Sequence, residues 1–170
     1  LGAAMLAALC KLFVIDLAIV QGPSMAPGLA SGDIVAVLRC AYGLRLPPGL
    51  PASSGYLLRW ARPRPGDIVA AMSPNDGGAV VKRVAAIGPA ELRVEDGKLK
   101  GKGIELELHP LEGAVLGQGF VVPEGTVFLL GDNLNQSVDS RSYGAVEENA
   151  IAGRVLGKVI QLHPDSWRRR

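Results

Sequence analysis

Beyond Gly32 the chain is a succession of short apolar, β-branched runs punctuated by Gly, Pro, Asp and Asn, and no stretch there is patterned as a long soluble helix. Runs this short satisfy their backbone groups only by pairing with neighbours, which predicts an all-β domain of short antiparallel strands. The runs are DIVAVLRC (33–40), GDIVAAM (66–72), AVVKRVAAI (79–87), GIELELH (103–109), TVFLL (126–130) and GRVLGKVIQL (153–162). Within ELRVEDGKLK (91–100), Asp96-Gly97 between alternating segments predicts a two-residue hairpin turn. The piece from about 88 to 122 therefore reads as a hairpin-rich annex. The tetrapeptide GDIV occurs at 32–35 and again at 66–69. Its flanks do not match, so it marks two similar turn-then-strand starts and not a repeat architecture.

Residues 1–20, LGAAMLAALCKLFVIDLAIV, are apolar apart from Lys11 and Asp16 and contribute to a hydrophobic content of 48%. Twenty residues at helical rise cross a bilayer core, which predicts a membrane anchor helix over 1–20 ahead of a domain over 21–170. Lys11 opposes insertion by about 2.5–3.5 kcal/mol, a cost that snorkelling reduces. A helix lying on a membrane surface or packed on a partner is the alternative. A removable leader does not fit, because QGPSM offers no small-x-small cleavage site. Residues 41–65 are rich in Pro, Gly and Ser and read as a long irregular connection. Its Trp60, Tyr56 and two leucines either cover a core or dip into a membrane surface, and an apolar surface of Tyr42, Leu57 or Trp60 would seat the domain on a bilayer.

A formal net charge of +2 provides no broad basic field for nucleic acid. The one local cluster is the terminal WRRR, either a solvated tail or a contact for an anionic membrane surface. Cys10 and Cys40 form no C-x-x-C, and His109 and His163 stand apart from each other and from the cysteines. No metal-ligand spacing exists, so neither a metal nor a cofactor is expected.

Three stretches carry chemistry. In QGPSMAPG (21–28), two prolines restrict the backbone around Ser24 and hold its hydroxyl on a rigid extended or turn segment. No His lies near it in the pattern, so a Ser-His-Asp triad is unsupported. A lysine serves a serine as base only when burial lowers its pKa. Lys82 sits among valines and alanines in AVVKRVAAI, with Arg83 turned to the opposite strand face. The plainer alternative is an edge or snorkelling lysine. The third stretch, LLGDNLNQSVDSRSYGAV (129–146), runs from a buried strand into a polar loop. Asp139 and Arg141, two apart in extended chain, either brace that loop or form an exposed ion pair of little worth.

GPSMAP, VVKRV and GDNLNQSVDSRSYG, in this order behind an apolar segment, resemble the type I signal peptidases, over about residues 12–160. These are membrane-bound Ser/Lys endopeptidases that remove targeting peptides from translocated preproteins. The resemblance implies a signal-peptidase-like β core, Ser24 as nucleophile and Lys82 as general base. It assigns Ser137 to orienting the lysine, Asp139 and Arg141 to holding the loop, Gly131, Asp132 and Asn133 to its start, and Met25 to packing beside the nucleophile. Some family members add an oxyanion hydroxyl two residues before the serine, where this chain has Gly22. The implied partners are signal-peptide-bearing preproteins and the lipid bilayer, with the catalytic domain on the trans side. A bacterial cytoplasmic membrane stands first and a mitochondrial inner or thylakoid membrane second. The competing readings are a silent peptide-binding partner subunit of a peptidase complex and a repressor-type self-cleaving Ser/Lys protease.

Overall fold

A computed structural model describes residues 2, 13–45, 56–102, 104–107 and 119–160. Among these residues the expected strands form, and they assemble into three antiparallel sheets. β1 (Ile15–Ile19), β2 (Ile34–Leu38), β5 (Ile68–Met72), β6 (Ala79–Ile87), β11 (Thr126–Leu130), β12 (Val146–Glu147) and β13 (Ile151–Ile160) make the main sheet, in the order β1-β2-β13-β5-β6-β11-β12. β3 (Gly43–Arg45) and β4 (Tyr56–Arg59) form a separate hairpin. β7 (Ala90–Glu95), β8 (Lys98–Gly101), β9 (Ile104–Glu107) and β10 (Gly119–Val122) form the annex, in the order β10-β7-β8-β9. Asp96 and Gly97 make its turn, both at positive φ (53° and 71°), as a tight hairpin of this type requires.

Three apolar clusters hold these parts together. The first joins Val69, Val84, Val127, Leu129 and Ile151 across the main sheet. Leu92, Leu99, Val122 and Phe128 tie the annex to β11 in the second. The third gathers Met25, Leu29, Val35, Val37 and Val155 beneath the segment that carries Ser24. Burial of each such side chain contributes roughly 1.5–3 kcal/mol.

The N-terminal expectation needs correction. Ile15–Ile19 is not the end of an anchor helix but strand β1, paired antiparallel with β2 from Ile15 opposite Leu38 to Ile19 opposite Ile34. The physical reason is period-two alternation: Ile15, Leu17 and Ile19 are exposed while Asp16 and Ala18 turn inward and are half-buried. Asp16 is also held by Arg39 at 3.3 Å, which the extended register permits. No helix among the described residues is long and apolar enough to cross a membrane, and the rest of the expected anchor, apart from Gly2, Phe13, Val14 and Val20, lies outside them.

The connection over 41–65 also contributes the β3–β4 hairpin, which its composition did not suggest. Tyr42 does not face outward: it is buried, and its hydroxyl donates to Asp67 at 2.9 Å. Leu57 and Trp60 remain exposed, at 66% and 55%.

The two GDIV starts share one construction. Asp33 accepts the N–H of Ala30 at 2.8 Å, and Asp67 accepts that of Arg64 at 3.0 Å, each closing the turn three residues back. Each buried carboxylate then takes a cation from β13: Lys158 at 2.9 Å for Asp33 and Arg154 at 3.1 Å for Asp67.

Candidate active site

The chain leaves β1 at Ile19 and returns into β2 at Ile34. Val20 N–H donates to Asp33 O and Gly32 N–H to Val20 O, both at 2.8 Å, which closes the neck of this loop. Inside it, the N–H of Ala26 reaches Pro23 O at 3.0 Å and that of Leu29 reaches Met25 O at 2.8 Å. Pro23 and Pro27 keep the segment from becoming a regular helix or strand. Met25 is fully buried and Leu29 nearly so, and both plug into the cluster below. Ser24 is half-buried above them, and its carbonyl accepts the N–H of Asn133 at 2.9 Å.

Lys82 lies on β6 opposite Val69 of β5 and is 3% exposed. Its Nζ donates to Ser137 Oγ at 2.9 Å. Burial pulls its pKa below that of an ordinary lysine, the attraction of Asp139 opposes this, and the Arg141 guanidinium adds to the depression. Ser24 and Lys82 line one cleft of about 470 Å³, with Ala18 and Val20 on the β1 side and Ala79 and Val81 on the β6 side.

The loop after β11 bears on both groups. Gly131 leaves no room for a side chain: a Cβ there would fall 2.5 Å from Ser24 O and closer still to Ser137 Oγ. Its N–H donates to Asp139 Oδ2 at 2.9 Å. Asp139 and Arg141 are both buried, and the Arg141 guanidinium grips the carboxylate through Nε at 2.8 Å and Nη2 at 2.9 Å. Arg141 also donates to the carbonyl of Leu134 at 2.9 Å, which ties down the loop's far side. Burial pushes the Asp139 carboxyl up, but bonds from Arg141, Gly131 and Ser137 outweigh it and hold it below the usual range.

The two residues pair, but not in extended chain. Asp139 is the N-cap of a short helix α1 (Ser140–Tyr143), its side chain accepting the Arg141 N–H. Capping brings residues two apart together just as an extended face would, because the carboxylate folds back over the first turn.

Asp132 meets a partner that the sequence did not reveal. Arg83 turns away from Lys82, as alternation requires, and grips Asp132 through two bonds of 2.7 Å. Asp132 in turn lies over Gly28, its Oδ2 3.4 Å from where a Cβ would stand. Lys82 and Arg83 thus reach two parts of one loop. A second unforeseen cluster, Glu148 with Arg59 and Arg62, fastens the β3–β4 hairpin to the turn before β13. Its only signal in the sequence was the density of arginines in 59–64.

A family model described as Signal peptidase, peptidase S26, matches residues 1–160. The mitochondrial ATP-independent inner membrane protease subunit 1b of Arabidopsis thaliana is 35% identical over 126 residues, covering 70% of this chain and 67% of that protein. The probable signal peptidase I-1 of Synechocystis sp. (strain ATCC 27184 / PCC 6803 / Kazusa) is 30% identical over 156 residues, 91% of this chain and 76% of that one. A signal peptidase I from Bacillus caldolyticus is 29% identical over 161 residues, 85% and 79% of the two chains.

Proposed function

The chain belongs to the peptidase S26 family of signal peptidases, and we propose that it removes signal peptides with Ser24 as nucleophile and Lys82 as general base. The observation that carries this reading is the burial of Lys82 in the cleft that Ser24 lines, with its pKa depressed. A neutral amine there takes the Ser24 proton as Oγ attacks the scissile carbonyl carbon. The tetrahedral oxyanion is held by donors that include the Ser24 backbone N–H. The Lys82 ammonium then protonates the leaving amine, the C–N bond breaks, and an acyl-enzyme remains. Water attacks this ester while Lys82 accepts its proton, and the proton returns to Ser24 Oγ as the acid leaves.

Ser137 keeps the amine aimed. Its hydroxyl donates to the Asp139 carboxylate and its oxygen accepts a Lys82 N–H, so the lysine lone pair remains for Ser24. Arg141 and Gly131 hold that carboxylate in place.

The substrate lies in the cleft as an added strand. Among the described residues β1 is the last strand on its side of the sheet and β11 pairs with β6 only from Arg83 onward, so there both walls offer unpaired backbone. Small side chains at Ala18 and Ala79 suit the small residues that the family's substrates carry before the cut. The reaction takes place at a membrane surface, in keeping with the exposed Leu17 (63%), Ile19 (61%) and Trp60 (55%) and with the apolar segment upstream of β1.

Cleavage of a peptide whose signal region ends in Ala-x-Ala, by detergent-solubilised protein, tests the reading. Specific cleavage that disappears in Ser24→Ala supports it. No cleavage of any such peptide overturns it in favour of a silent peptide-binding subunit.

A further inference from the structure

The loop over residues 20–33 holds Ser24 but contains no regular strand or long helix to fix it. Towards β1 it is anchored by the plug of Met25 and Leu29 and by the bond from Asn133 to Ser24 O. Towards β2 its anchor is Asp33, a carboxylate 1% exposed whose Oδ2 accepts the Ala30 N–H at 2.8 Å and lies 2.9 Å from Lys158 Nζ. A buried carboxylate at this depth is costly without a cation, so the partner matters.

That partner comes from β13 by an irregularity in the strand. Val155 is 7% exposed and turned into the cluster below the loop. Strict alternation from Val155 would turn Val159 inward with it and Lys158 outward. Instead the register against β2 shifts between Val155 and Gly157, with Gly157 at a φ of +150°, and Lys158 comes opposite the fully buried Val35. Antiparallel partners share a face, so the shift turns the ammonium towards Asp33, and a second shift between Lys158 and Ile160 leaves Val159 without a β2 partner and 54% exposed. The strand thus gives up regular pairing and an apolar contact, and what it gains is a cation at the root of the Ser24 loop.

We infer that Asp33 and Lys158 form a clamp that sets the position of Ser24 in the cleft, which makes Lys158 a positioning residue although it lies on neither the loop of Ser24 nor the strand of Lys82. The catalytic consequence rests on the reading of Ser24 as nucleophile; the mechanical one does not. Asp67 with Arg154 is the same construction at a loop that carries no candidate nucleophile, and it serves as an internal control.

The test compares Lys158→Met, Lys158→Arg and Arg154→Met in the full chain, by amide hydrogen exchange and by kcat and KM on an Ala-x-Ala peptide. Lys158→Met keeps the stem and removes the charge. It should speed exchange at Leu29 and Ala30 at least tenfold while β5 and β6 stay protected, and lower kcat about tenfold at nearly unchanged KM. Lys158→Arg should restore both, and Arg154→Met should leave exchange in 20–33 unchanged. Unaltered exchange in Lys158→Met overturns the clamp, and so does faster exchange with full kcat or a failure of Arg to rescue. If the wild type cleaves nothing, the nucleophile reading fails while the exchange result still decides whether the clamp exists.

Discussion

Lys82 Nζ donates to Ser137 Oγ across 2.9 Å, joining β6 to the loop after β11 over 55 positions of sequence. The bond fixes the lysine's orientation without using its lone pair. Ser137→Ala should therefore leave substrate binding nearly intact and lower kcat by roughly tenfold to a hundredfold, the worth of one or two hydrogen bonds near the reacting atoms. Steady-state kinetics on a signal-peptide substrate check this; a raised KM with unchanged kcat contradicts it.

Gly131→Ala tests the close approach of three backbone segments. The added Cβ would fall 2.5 Å from Ser24 O and nearer still to Ser137 Oγ, too close for either to remain where it is. A displacement of about 1 Å at a reacting group costs on the order of a hundredfold in rate. The expected variant is folded by circular dichroism and at least that much slower; wild-type kcat would mean the loop yields freely.

Lys82→Met should raise stability at pH 7. The native pKa of Lys82 lies below its unfolded value of 10.5 because burial disfavours the charged form. Between the native pKa and 10.5 the unfolded chain binds more protons, so stability climbs with pH across that window. Below the window the full deficit is present, and methionine removes it. Thermal melts should show the variant more stable than wild type at pH 7, with the difference closing above 10.5. Equal Tm at pH 7 would contradict a buried, perturbed lysine.

Asp139→Asn leaves Arg141, 2% exposed, without its countercharge. Breaking a buried pair of this kind costs about 3–5 kcal/mol, readable as a lower urea midpoint. The native pKa of Asp139 lies below its ordinary value of 3.8, so its stabilisation is present above that value and lost as pH falls through the native pKa. Acid unfolding of the variant should be flatter there than that of the wild type; a parallel acid limb would contradict the assignment.

Legibility followed the range of the forces involved. AVVKRVAAI and TVFLL were readable as strands because local branching and burial agree, and Asp96-Gly97 as a turn because only that backbone suits two positive φ values. Ser24, Lys82 and Ser137 were singled out by their motifs; that Lys82 bonds Ser137 and lines one cleft with Ser24 is tertiary. β1 was misread because IDLAI is apolar enough for either a helix or a strand, and pairing with β2 decides between them. Nothing in GRVLGKVIQL singles out Lys158, since the register shift that brings it opposite Val35 leaves no local mark beyond Gly157. Arg83 was rightly turned from Lys82, but its grip on Asp132 arises from a contact 49 positions away.

The central claim is that a buried, neutral Lys82 activates Ser24. The most direct measurement is kcat/KM on an Ala-x-Ala peptide from pH 6 to 10 for wild type, Ser24→Ala and Lys82→Ala. Both variants should fall by on the order of a thousandfold or more. The wild type should show a rising limb well below 10.5, the value of an unperturbed lysine. Activity that survives Lys82→Ala, or a limb at the ordinary lysine value, would contradict the account.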